Sequence, residues 1–326
     1  MPSPVDPGLQ AVFDELKAAG AALPDPADVG VAESRAARER YYAYLNQSDG
    51  EIAMHAVEDV SVPGPHGPIL LRLYFPSDER PAPVTVFIHG GGWWTGHVAA
   101  YDQICRRLAM ETGCAVASVE YRLWPEYRFP VPVDETMAAA NWVLSDGAAH
   151  GLDPTRIAFS GDSAGATLGL YAGAELKNTG AVRALALVYG VYWVDVDTPS
   201  WREIGDGTYG LTVAQMQWIW DGYLDGQDVD LKDPRLAPLY ADLSGLAPTW
   251  VMVGDLDPLI DDNRELVARL EAAGVPHIFK IEKGVTHFVW MWQRLYDRSR
   301  ASIAEGGAFL KEHLRGRTVR EDSPLS

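Results

Sequence analysis

Hydrophobic and polar positions change rhythm along the chain. Near the start Leu9, Val12, Phe13 and Leu16 recur at helical spacing and Gly20 offers a stop, which predicts a helix. After the break LPDPAD, the stretch through Arg35 to Tyr44 is helical in composition. From about residue 51 the pattern turns to strands. IAMHAVEDVSV and PILLRLYF flank a Gly/Pro turn and read as a hairpin, while VTVFI, AVASVEY and RIAFS are continuous apolar runs typical of buried parallel strands.

A helix around Asp134–Leu144 falls between the second and third of these runs. The alternation then continues: a helix after Ser163, the strand ALALVYG, a helix around Leu211–Tyr223, the strand TWVMVG, a helix Asn263–Ala273, the strand HIFKIE, and a last helix near Ala301–Leu314. Repeated strand–helix alternation with continuous apolar strands predicts a mostly parallel sheet covered by helices on both faces.

Composition narrows what such a fold could do. The 326 residues are 47% hydrophobic and 22% charged, with a formal net charge of −18. That charge repels a phosphate backbone, and no Lys/Arg-rich stripe offsets it, so a nucleic-acid partner is not expected. The longest apolar run, LALVYGVYWV, is too short to span a bilayer. MPSPVDPGLQ has neither a basic nor an apolar signal region, so a cytoplasmic location is the expectation. Cys105 and Cys114 fit no CxxC pair or zinc site and are expected to be free thiols.

The chemistry concentrates in three places. Gly161-Asp162-Ser163-Ala164-Gly165 is a GxSxG pentapeptide between an apolar strand and a helix of small residues. A serine on so tight a strand-to-helix turn is strained and exposed, and its flanking glycines remove side chains that would clash. The following helix aims its positive end at the reacting centre. Upstream, His89-Gly90-Gly91-Gly92 follows the strand VTVFI. The amides of Gly91 and Gly92, with that of Ala164, are the expected oxyanion hole. The stretch matches neither GxGxxG nor a phosphate loop.

Downstream, His287 lies in a loop after a strand, where a catalytic base belongs. His277 opens a strand and His313 sits among charges on the terminal helix. For the acid, Asp255, Asp257 and Asp261 all follow the strand TWVMVG. Pro258 restricts the backbone of Asp257, while Asp255 and Asp261 suit capping or loop roles, and position alone leaves all three open.

HGGGWW, EYRLWPEYRFP, GDSAG, DLDPL and THF, in that order over about residues 60–290, resemble the bacterial hormone-sensitive-lipase family of esterases. The resemblance implies an α/β-hydrolase fold and a Ser163–Asp257–His287 triad, with Asp255 second to Asp257 as the acid. It also implies an oxyanion hole at Gly91, Gly92 and Ala164, hydrolysis of a small-molecule ester, and no cofactor or metal. A helical cap is implied too, placing cap helices at 1–50, a core at 51–190 and 236–315, a cap insertion at 191–235, and a disordered tail at 316–326. A homodimer is compatible with the resemblance.

Two positions depart from the family pattern: His287-Phe288 lacks the glycine of HGF, and Trp124 replaces the alanine of YRLAPE. His89, Glu126 and Asp134 are expected to support structure rather than catalysis. The chain has eleven tryptophans, clustered as Trp93/Trp94, Trp218/Trp220 and Trp290/Trp292. Trp93, Trp94, Trp218 and Phe288 are the expected pocket walls, favouring small-to-medium or aryl acyl esters. An amide hydrolase on the same fold is the alternative. A dead-site receptor, as in the plant gibberellin receptors, is disfavoured because the base histidine is present.

Overall fold

The computed structural model describes residues 2–47 and 52–316. Two helices, α1 (Pro7–Ala18) and α2 (Pro26–Asn46), begin where Asp6 and Asp25 accept backbone N–H groups and proline sits in the first turn. At Gly30, φ is +78°, and α2 kinks there. The hairpin β1 (Ala56–Val62) and β2 (Ile69–Phe75) follows, then β3 (Ala82–Ile88), α3 (Asp102–Thr112), β4 (Ala115–Glu120), α4 (Val131–Ser145) and β5 (Leu152–Asp162). The second half holds α5 (Ala164–Leu176), β6 (Val182–Val188), α6 (Pro199–Ile204), α7 (Val213–Leu224), β7 (Thr249–Gly254), α8 (Ile260–Ala272), β8 (His277–Glu282) and α9 (Asp297–Arg315). Residues 317–326 of the expected disordered tail lie outside the described residues.

The eight strands form one sheet in the order β1-β2-β4-β3-β5-β6-β7-β8, antiparallel across β1-β2-β4 and parallel from there on. This is the mostly parallel sheet anticipated from the strand–helix rhythm, with the antiparallel hairpin at one edge. The continuous apolar strands feed two cores by simple alternation. In β5, Ile157 and Phe159 join the cluster that includes Ala166 and Leu170 of α5. Ala158 between them faces the opposite cluster, with Ile104 and Leu108 of α3 and Ile303 and Leu310 of α9. Leu9, Val12 and Leu16 of α1 belong to this second core, packed with Tyr41, Tyr42 and Trp292.

Every expected strand is present, but α3 and α6 were not anticipated. The spacing of Ile104, Cys105, Leu108 and Ala109 in α3 is helical, although charged neighbours dilute it. Six residues in α6 are too few for periodicity to register. No helix among the described residues is long and apolar enough to cross a membrane. Both cysteines are buried free thiols, and burial pushes the Cys105 thiol well up. What positions the site is the common end of the parallel strands. The segments after β3, β5, β7 and β8 carry His89–Gly92, Ser163, Asp257 and His287 respectively.

Candidate active site

Ser163 joins β5 to α5 at φ +51°, ψ −124°, in a region that L-residues seldom occupy. Its N–H donates to the Val188 carbonyl at 2.9 Å, which pins the turn to β6. The flanking glycines are required by contact rather than by local freedom. A Cβ on Gly165 would lie 2.0 Å from the Ile88 carbonyl oxygen, and one on Gly161 would lie 2.6 Å from that same atom. The elbow thus lets α5 sit directly on the end of β3.

His287 and Asp257 meet this serine. His287 Nε2 lies 3.0 Å from Ser163 Oγ, and Nδ1 lies 2.7 Å from Asp257 Oδ2. A carboxylate only accepts, so Nδ1 carries the hydrogen and Nε2 is free to accept from the serine hydroxyl. Asp257 is wholly buried, and its other oxygen accepts the Leu259 N–H at 2.9 Å. Gly254 makes the approach of the two loops feasible, since a Cβ there would meet the Val285 carbonyl oxygen at 2.0 Å.

The rival carboxylates are engaged elsewhere. Asp255 accepts from Ser3 Oγ and the Gly284 N–H, both at 2.6 Å, tying the N-terminal segment to the loop after β8. Asp261 accepts the Ser200 N–H at 2.9 Å. Among the other histidines, His277 bonds the Val275 carbonyl and His313 packs edge-on against Phe309.

Of the two departures from the family motif, Phe288 stands where HGF has glycine and itself takes φ +67°. The backbone conformation therefore survives without the residue that makes it easy, at a cost of about 1 kcal/mol. The Phe288 ring packs edge-on against His287, with centroids 4.3 Å apart.

The glycine loop is braced from below. Gly91 has φ +112°, and a Cβ on it would fall 2.1 Å from the Thr95 carbonyl oxygen. Among the described residues, no carbonyl or side chain takes up the N–H of Gly91, Gly92 or Ala164. Trp124, the other departure, donates its indole N–H to the Gly92 carbonyl at 3.2 Å. Asp162 accepts the Gly90 N–H at 2.8 Å and the hydroxyls of Tyr101 and Tyr189 at 3.1 and 3.3 Å. Burial raises its carboxyl to about 6, against which these donors and the nearby His287 pull.

His89 is also buried and stacks on Tyr121, with centroids 4.2 Å apart. Burial lowers it to about 4, so it is neutral and donates from Nδ1 to the Gly90 carbonyl at 2.8 Å. Glu126 pairs with both ends of the Arg35 guanidinium, at 2.8 and 2.9 Å, and Asp134 lies 3.6 Å from His66.

Ser163, His287, Gly91 and Gly92 open into one cavity with about 50 Å³ available to the centres of water-sized molecules. Trp93, Trp94 and Phe288 line it as expected. Trp218 does not. It packs on Trp124 at 4.8 Å and edge-on against Trp94 at 5.2 Å, one layer behind the wall. The helical turn of α7 presents Gln215, Met216 and Ile219 to the cavity and rotates Trp218 away from it. Pro26 and Arg38 of α2 complete the rim, and sequence reasoning missed both. Two larger cavities, of about 180 and 610 Å³, contain none of these reacting groups.

Residues 85–291 match the model of a family described as an alpha/beta hydrolase fold. The chain is 35% identical over 266 residues to a carboxylic ester hydrolase, LipN, of Mycobacterium tuberculosis, covering 79% of this chain and 70% of that one. It is 30% identical over 320 residues to an acetyl esterase of Salmonella agona, covering 95% and 97%. A hyperthermophilic esterase from the archaeon Pyrobaculum calidifontis superposes with a TM-score of 0.88 at 32% identity, covering 95% and 98%. The chain belongs to the α/β-hydrolase family, in its hormone-sensitive-lipase-like branch.

Proposed function

We propose that the protein is a serine carboxylesterase acting on small-to-medium acyl esters through an acyl-enzyme on Ser163. The observation that carries this is His287 held between Ser163 and Asp257 at 3.0 and 2.7 Å. Ser163 Oγ attacks the ester carbonyl while His287 Nε2 takes its proton, and Asp257 stabilises the imidazolium. The amides of Gly91, Gly92 and Ala164 receive the oxyanion. Collapse releases the alcohol, which takes the proton from His287. Water then adds to the acyl-enzyme with His287 again as base, giving the acid and free serine.

The relatives named as ester hydrolases favour an ester over an amide substrate. The tight cavity, walled by Trp93, Trp94 and Phe288, favours short or compact acyl groups. Helices α2, α6 and α7 act as the cap. The test is labelling with a fluorophosphonate probe and peptide mapping. Modification at Ser163, lost in Ser163→Ala, is expected; an intact protein that stays unlabelled overturns the reading.

A further inference from the structure

The reaction cavity carries one charge that the ester mechanism does not use. Arg38 is the single Lys, Arg, Asp or Glu among the described residues that line it. This is notable in a chain whose net charge is −18, which at long range favours neutral or cationic ligands.

Its neighbours on α2 are committed to fixed partners. Arg35 pairs with Glu126, and Glu39 faces His97 at 3.1 Å. Arg38 instead lies half-buried, with its guanidinium carbon 4.9 Å from the Trp94 ring centre and 5.9 Å from that of Phe288. Among the described residues no carboxylate or carbonyl engages it. Aromatic contact uses the faces of a guanidinium and leaves its edge of N–H donors unspent. A planar donor edge without a protein acceptor, at the wall of an aromatic cavity, has the geometry for bidentate pairing with a carboxylate. The Phe288 ring lies 4.3 Å from that of His287 and 5.9 Å from the Arg38 guanidinium carbon, and all three side chains line the cavity that holds Ser163.

We infer that Arg38 selects esters bearing a carboxylate, such as half-esters of dicarboxylic acids, by pairing with that carboxylate while Ser163 attacks the ester. The inference rests on the ester-hydrolase reading above. Either half of the ester could carry the charge, and matched substrates distinguish the two. On the acyl side the pair is monoethyl glutarate and ethyl hexanoate. On the alcohol side it is acetoxyacetate and propyl acetate. Released acid is titrated at constant pH near neutrality, where each substrate carboxylate is ionised.

For one arm, kcat/KM of the wild type is expected to favour the anionic member by roughly tenfold, and the preference to shrink at high ionic strength. Arg38→Gln is expected to cut that ratio by tenfold or more through KM, and Arg38→Lys, which keeps the charge, to retain part of it. A proportional change in both members under Arg38→Gln would show that the side chain is only a wall, and would overturn the proposal. So would turnover of the neutral esters without anionic preference in the wild type, a result independent of how the variants fold. Absence of turnover on every ester would instead overturn the underlying ester reading.

Discussion

Asp162 occupies the variable position of the serine pentapeptide, and its burial gives it a measurable signature. Its carboxyl is raised from 3.8 to about 6, so the folded state holds the proton more tightly than the unfolded chain does. A raised carboxyl contributes stability that is full below the unfolded value and is lost as pH climbs through the folded one. Asp162→Asn keeps an acceptor for the Gly90 N–H but cannot titrate. The stability of wild type relative to this variant should therefore fall by about 2 kcal/mol between pH 4 and 7. Urea unfolding across that range measures it, and parallel pH profiles would show that the group does not titrate as described.

The choice between Asp257 and Asp255 is likewise a residue-scale matter. Asp257→Asn leaves the shape intact but disturbs the His287 tautomer, and kcat should drop roughly a thousandfold or more with KM little changed. Asp255→Asn should cost activity less than about threefold. Equal losses would contradict the assignment. Position after a strand could not separate these aspartates, because what distinguishes them is which loop each one bonds. Phe288 shows a further limit: the sequence announces the missing glycine, but only backbone angles reveal that phenylalanine accepts the same conformation.

Among the elements, legibility followed burial on two faces. β3 and β7 are buried along their whole length and read plainly as strands. In α7, by contrast, apolar residues surround the helix, and periodicity alone could not say which tryptophan faced the substrate. The glycine loop after β3 is the element whose function depends most on backbone. Gly91→Ala meets both an unfavourable φ of +112° and the Thr95 carbonyl at 2.1 Å. Relief requires the loop to move, taking an oxyanion donor with it. A kcat loss of about a hundredfold or more is expected, with the circular dichroism spectrum retained and the melting temperature lowered by the strain. Retained kcat would mean that Gly91 is not a donor. Trp124 reinforces the same loop through Gly92, a role that its place in EYRLWPE did not disclose.

At the scale of the whole molecule, substrate size is decided where three distant parts of the chain converge on Ser163. α2 contributes Pro26 and Arg38, the loop after β3 contributes Trp93 and Trp94, and α7 contributes Met216 and Ile219. This convergence was legible only in outline, since the two cap segments could be expected from resemblance but their facing residues arise from docking. Ile219 is nearly buried, and its Cδ1 lies 3.0 Å from the point where a Cβ on Gly92 would stand, so it presses on the glycine loop from the cap side. Ile219→Ala removes three carbons there and should admit about two more acyl methylenes. Burying one CH₂ is worth about 0.8 kcal/mol, so the octanoate-to-butyrate ratio of kcat/KM should rise roughly tenfold in p-nitrophenyl ester assays. Because the deleted carbons leave a cavity at the junction of cap and core, the melting temperature should fall as well. Unchanged chain preference in a variant that melts lower would place the acyl group on the opposite wall, against Trp94 and Phe288.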